Sequence, residues 1–244
     1  MAHSYVITHI LNQLFGPILV SILNLVGIHP ADPAAPINDT FALELMVATG
    51  LIAFFLLVRM TLSVEKPNAA QQIAEMIHEF TGSSADQIIG HNYERFQAFT
   101  TCIFLFVVLN NLLGLIPGIV TPTSVPVVPL GIALCTFVYY HFYGLKEQGF
   151  VGYMKHFAGP IWWISWLLFP IEIISHCARV MSLTIRLYAN MYASDLVTLA
   201  FFSLIPVGVP AVFLGLHAMV SIIQAYVFML LAMIYLSMAT AHEH

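Results

Sequence analysis

Several apolar runs of bilayer-spanning length constrain this chain more than any other feature. A helix needs about 20 apolar residues to cross the roughly 30 Å hydrocarbon core of a membrane. Such runs start near Phe41, Phe96 and Val127, and two much longer ones fill the C-terminal third. A water-soluble fold dresses its surface with charge, roughly a quarter of its residues. Here 8% of 244 residues are charged and 60% are hydrophobic, so lipid is the solvent for most of the surface. The net charge of −5 carries no basic cluster, which argues against nucleic acid as a partner. Cys102, Cys135 and Cys177 lie far apart in apolar segments, without metal-ligand or redox spacing, and read as small buried hydrophobes. No metal or other cofactor is expected. The first basic residue is Arg59, so the N-terminus lacks the basic region of a cleaved secretory signal.

Before the first span, Tyr5 to Ile28 is apolar but broken by Asn12, Gln13, Gly16, Pro17 and Asn24. It reads as an amphipathic or interfacial helix in preference to a span, followed by a Pro-rich loop from His29 to Pro36. Residues 1–40 are thus expected to form an extracytoplasmic interfacial segment, and 41–244 the membrane domain. The first span runs from about Phe41 to Met60. Between Ser63 and Glu94 charges concentrate, while Ile73, Met76, Ile77 and Phe80 recur at helical spacing. That pattern predicts a short amphipathic helix along the membrane surface. A second span covers about Phe96 to Ile116 and a third about Val127 to Tyr143. A polar loop with Lys146, Glu147 and Lys155 is expected to follow. The two long segments run from about Ile161 to Leu204 and from about Val209 to Ala241, joined at Pro206-Val207-Gly208-Val209-Pro210.

The loops on one side of these five spans hold no Lys or Arg. Arg59, Lys66, Arg95, Lys146 and Lys155 all fall on the other. The positive-inside rule makes that side cytoplasmic, which puts the N-terminus outside and the C-terminus, Ala241 to His244, inside.

At 1.5 Å per residue the last segment would be roughly 50 Å long, too long to stand upright in lipid. Steep tilt is the simple remedy for both long helices. Pro170 either kinks the penultimate one or marks its start. At 100° per residue, Glu172, His176, Arg179, Arg186 and Asn190 fall within about 80° of one another, with Ser175 and Ser182 beside them. Asp195 points about 180° away from Arg186. On the last helix His217, Ser221, Gln224 and Tyr235 share a face about 60° wide.

A charge in the hydrocarbon core costs about 2.5–3.5 kcal/mol on insertion scales, and such residues mark ion pathways. Arg179 has a plain explanation, snorkelling or pairing with Glu172. Arg186 has none, because Leu183, Thr184, Ile185, Leu187 and Tyr188 surround it. His217 alone would read as a satisfied buried histidine; its alignment with Gln224 and Asp195 points instead to function. The serines are weak signals, since serine packs freely between membrane helices. A fixed cation attracts a carboxylate from another chain. A carboxylate in lipid prefers its protonated form, and arginine reverses that locally without ever yielding its own proton. A moving carboxylate must therefore release its proton to pass. Asp195, His217, Asn190 and Gln224 can supply a hydrated path on the outside; Glu172, His176, Ser175 and Ser182 can supply one on the inside.

The run Met181-Ser182-Leu183-Thr184-Ile185-Arg186-Leu187-Tyr188-Ala189-Asn190 closely resembles the signature of subunit a of F-type rotary ATP synthases. The stretch from Gln224 to Ala239 is similar to the end of that family. Asn111 to Gly118, with Thr121-Pro122-Thr123, is similar to its middle hairpin. The resemblance implies an all-α integral membrane protein: five spans, the last two long and tilted against a c-ring, plus a surface helix. It implies a proton-channel stator with no bond-making active site, in a bacterial inner (plasma) membrane, beside the c-ring and the b subunits of a peripheral stalk. Arg186 would face the c-ring carboxylate, Asp195 and His217 would pair in the outer half-channel, Asn190 and Gln224 would line the route, and Glu172 and Ser175 would face the inner one. Two residues depart from the pattern. Asp195 stands where glutamate is common, and Ser194 where glycine is frequent. The competing reading, a secondary proton-coupled transporter, predicts inverted repeats and broken helices, and neither is visible. A structural scaffold leaves Arg186 unexplained.

Overall fold

The computed structural model describes residues 6–25, 35–90, 92–116, 118–158, 165–204 and 208–240. Among them there is no strand. The helices are α1 (Val6–Leu25), α2 (Asp39–Met60), α3 (Ala69–Ile89), α4 (Glu94–Leu112), α5 (Val127–Ala158), α6 (Ser165–Leu204) and α7 (Val209–Thr240). Short 3₁₀ turns occupy Leu113–Leu115 and Pro122–Ser124. Five segments are long and apolar enough to cross a membrane: 39–60, 94–115, 127–149, 166–204 and 209–240. The expected all-α membrane architecture is the one found, and α1 is not among the five.

Asparagine suits helix N-caps because its carbonyl can take a free backbone N–H. Asn38 and Asn68, both extended, fill that role for α2 and α3. Asn12 of α1 clamps the approach to α2, accepting from the Ile37 N–H at 2.9 Å and donating to its carbonyl at 3.1 Å. Helix α3 has the predicted amphipathic pattern, but only part of its apolar face turns to the bundle. Ala85, with Ile88 and Ile89 beside it, packs on Met229 and Met233 of α7, and the Phe80 ring centre lies 5.6 Å from that of Tyr226. It buries Gln71, Thr81, Gly82 and Ala85, while Ile73, Met76 and Phe80 are exposed. Lipid is as apolar as a core, so small and polar residues mediate close helix contact instead. The Thr81 and Thr101 hydroxyls meet at 2.8 Å, and Gln97 Nε2 donates to the His78 carbonyl at 2.7 Å.

The main core joins α4 to α7 through Ile103, Val107, Val128, Ile132, Leu183, Leu187, Met191, Ala225 and Phe228. At 1.5 Å per residue, the 40 residues of α6 and the 32 of α7 extend about 60 and 48 Å, longer than the bilayer core is thick.

Three expectations change. The polar residues Lys146 and Glu147 do not form a loop after Tyr143: α5 continues through them to Ala158, broken only at Gly149, whose φ is +71°. Arg95 pairs with Glu147 at 2.8 Å, and Gln148 donates to the Ala239 carbonyl at 3.1 Å, so the extension is tied to α4 and α7. Polar side chains alone do not stop a helix when partners hold them. Pro170 does not mark the start of α6, which begins at Ser165 and carries the proline inside its early turns. Cys102, Cys135 and Cys177 are exposed, not buried; a thiol accepts a lipid-facing site as readily as a packed one. Most of the Pro-rich loop, residues 205–207 of the hinge and the C-terminal Ala241 to His244 lie outside the described residues.

Candidate functional site

The polar stripe on α6 resolves into three groups. At its centre Arg186 sits one turn beyond Ser182, and its Nη2 donates to the Ser182 hydroxyl at 3.3 Å. Leu183 and Leu187 are buried, and Met181 and Ile185 are exposed. Arg186 therefore lies where the packed face of α6 meets its outward face. Among the described residues no carboxylate comes within 4.0 Å of it. One turn further, Asn190 donates to Gln224 Oε1 at 2.9 Å and bridges α6 to α7.

The second group lies past Asn190. His217 is 1% exposed. Its Nε2 lies 3.2 Å from the Asn111 carbonyl, and its Nδ1 lies 2.7 Å from the Ser194 hydroxyl. A carbonyl can only accept, so Nε2 carries a proton, and in the neutral ring Nδ1 accepts from Ser194. Asp195 Oδ1 is 3.7 Å from the same Nδ1 and accepts from the Thr121 hydroxyl at 2.8 Å. The pairing of Asp195 with His217 is thus a near approach with Ser194 in the hydrogen-bonding position. Asp195 Oδ2 is buried without a hydrogen-bond partner among the described residues.

The middle hairpin builds this group from the other side. Asn111 donates to the Ser221 carbonyl at 3.3 Å and accepts from the Thr123 hydroxyl at 2.6 Å. Gly114 is required by space: a Cβ there would sit 1.9 Å from Thr121 Oγ1 and 3.0 Å from His217 Nε2. A cavity of about 360 Å³ is lined by Gly114, Ile119, Asp195, Thr198, Leu199 and Phe202.

The third group occupies the opposite end of α6. Glu172 pairs with His176 across one turn at 3.3 Å. His176 Nδ1 lies 2.9 Å from the Tyr140 hydroxyl, and its ring centroid 4.8 Å from that of His141. Ser175 stands half-buried beside them. Arg179 makes no ion pair with Glu172; its guanidinium lies over the Tyr235 ring at 5.4 Å. A weakly hydrated planar cation finds an alternative to a carboxylate on an aromatic face.

Sequence reasoning placed Arg186, Asn190, Gln224, Asp195, His217, Glu172 and His176 in this track. It did not find Ser194 as the histidine's partner, nor Thr121, Tyr140 and His141. Thr121 and Asn111 carried the only available signal, polar residues in an apolar hairpin.

These features define a polytopic helical membrane protein in which polar groups, with one arginine at their centre, are strung along the overlong helix α6 and meet α5, α7 and the hairpin around it. The model of the ATP synthase A chain family matches residues 42–237. Over the full length of both chains the sequence is 51% identical to ATP synthase subunit a of Koribacter versatilis. It is 42% identical to the subunit of the same name from Solibacter usitatus, over 92% of this chain and 95% of that one. A third relative, from Bdellovibrio bacteriovorus, is 40% identical over 70% of this chain and 75% of its own length. The chain belongs to the ATP synthase A chain family.

Proposed function

We propose that this protein is the proton-channel stator of an F-type ATP synthase in a bacterial inner membrane. Its partners are the c-ring and the b subunits of the peripheral stalk. The observation that carries this reading is Arg186, a permanent cation in a span whose side-chain hydrogen bond, among the described residues, goes to one serine hydroxyl at 3.3 Å. Such a charge is costly in hydrocarbon, and its match is a carboxylate on a neighbouring rotor.

A proton reaches the rotor through the Asp195–His217 group and the Asn190–Gln224 bridge. The neutralised carboxyl then travels through lipid. On returning to Arg186 it must ionise, and its proton leaves past Ser182, Ser175, His176 and Glu172. The guanidinium carries no proton across, because it does not deprotonate in proteins. Each charge moving down the potential yields about 2.3 kcal/mol per 100 mV, which the ring converts to rotation. The protein itself makes no bonds; it offsets two half-channels. Residues 1–40 lie outside at the interface and the C-terminus is cytoplasmic. Family membership supports this reading over a secondary transporter.

The test is Arg186→Ala in the whole complex. The variant should still co-purify with the c-ring and should lose ATP-driven pumping in everted vesicles; near-normal pumping would overturn the assignment.

A further inference from the structure

We infer that Glu44, on the first spanning helix, is a proton-exchanging carboxylate of the route that feeds Asp195. This rests on the channel function proposed above and extends the outer path onto α2.

Among the described residues, three buried side-chain atoms have no hydrogen-bond partner: Glu44 Oε1, Asn110 Oδ1 and Asp195 Oδ2. All three are oxygens, so each is an acceptor in want of a donor. Buried polar atoms are paired in the great majority of cases, and an exception calls for a reason. The three share one end of the bundle. Asn110 lies at the end of α4, beside Asn111, whose carbonyl meets His217. Asp195 meets Thr121. Helix α2 packs against both α4 and the 122–124 turn. The residues that bracket Glu44, namely Ala42, Leu43 and Val47, are buried. At the other end, the described ionisable groups find partners: Glu172 with His176, His176 with Tyr140, and Arg95 with Glu147.

A carboxylate kept in an apolar helix for structure would hold a donor with both oxygens engaged. Glu44 holds none on Oε1, yet an ionisable side chain inside a span is costly. Mobile donors resolve this. Hydronium gives its proton to the Glu44 carboxylate, leaving water and a neutral carboxyl. The carboxyl then passes the proton to the next water on the path toward Asp195 and is carboxylate again. Asn110 Oδ1 and the buried hydroxyls of Thr121, Thr123 and Ser124 provide polar stations along that path.

The test compares Glu44→Gln with Glu44→Asp in the assembled complex, by proton flux into vesicles stripped of the soluble sector. Glutamine keeps the length and shape of glutamate and one acceptor oxygen, exchanging the other for an NH2 donor, so a structural role tolerates it better than the shorter aspartate. A proton carrier shows the reverse: E44Q should lower flux by about tenfold, a modest barrier change, while E44D keeps most of it. Wild-type flux in E44Q would overturn the inference. Should E44Q fail to assemble, Glu44→Cys is made with Cys102, Cys135 and Cys177 replaced by alanine. A charged, membrane-impermeant thiol reagent should then label it from the extracytoplasmic side, and absence of labelling overturns the inference. Arg186→Ala in parallel separates the two failures. Lost pumping there with normal E44Q flux rejects Glu44 alone, whereas retained pumping rejects the channel reading itself.

Discussion

Gly114→Ala adds one methyl group where the middle hairpin meets α7. The new Cβ would stand 1.9 Å from Thr121 Oγ1 and 3.0 Å from His217 Nε2. A separation that short is not sustained, so Thr121 must move by more than about 1 Å to restore ordinary contact. Thr121 is fully buried and β-branched, so turning its hydroxyl away brings a methyl group into nearly the same space. Overpacking of this kind costs about 1–3 kcal/mol. The displaced hydroxyl also gives up its 2.8 Å bond to Asp195. A hydrogen bond to a charged group is worth about 1.5–3 kcal/mol, and 1.4 kcal/mol is tenfold. The variant should therefore melt earlier in detergent and conduct protons at least about tenfold more slowly through vesicles stripped of the soluble sector. Combining it with Thr121→Ala removes the clashing atom. The double variant should match Thr121→Ala in flux and recover most of the thermal stability, a strongly non-additive pair. Unchanged flux and melting in Gly114→Ala, or strict additivity, would refute the argument.

Asp195→Asn or His217→Ala should slow proton uptake while ATP hydrolysis and pumping stay coupled, measured as pumping per ATP consumed. Unchanged rates in both would remove that pair from the path. Gly82→Ala should be mild by contrast with Gly114→Ala. Its Cβ meets Gln97 Nε2 at 2.6 Å, the far end of a side chain that can swing aside at the cost of its bond to the His78 carbonyl. The expected loss is about 1 kcal/mol of stability with flux intact, read by melting of the complex and by vesicle assay.

How much of this protein was legible beforehand depended on whether a feature is periodic along one helix or shared between helices. The α6 stripe of Glu172, His176, Arg186 and Asn190 follows from the helical repeat alone. So does the set His217, Ser221 and Gln224, all three buried on α7. Partner choice did not follow. Arg179 had Glu172 within reach along its own helix, yet it stacks on Tyr235 of α7, and Glu172 goes to His176. Ser194 departs from the family pattern in the sequence; its contact with His217 depends on how α6 and α7 are set against each other. The cysteines show a further limit, since apolar periodicity cannot separate a lipid-facing side chain from a packed one.

Sequence by itself determined the five spans and the isolation of Arg186 on its helix, because lipid rejects charge and demands long unbroken apolar runs. It also determined the family. Tertiary structure decided which groups surround the arginine's neighbours. Asn111, Gly114 and Thr121 come from a hairpin far along the chain, and the unpartnered oxygens of Glu44, Asn110 and Asp195 belong to three different helices. Contacts across helices depend on relative rotation and register, set by many small packing terms together, and no stretch of one helix contains that information.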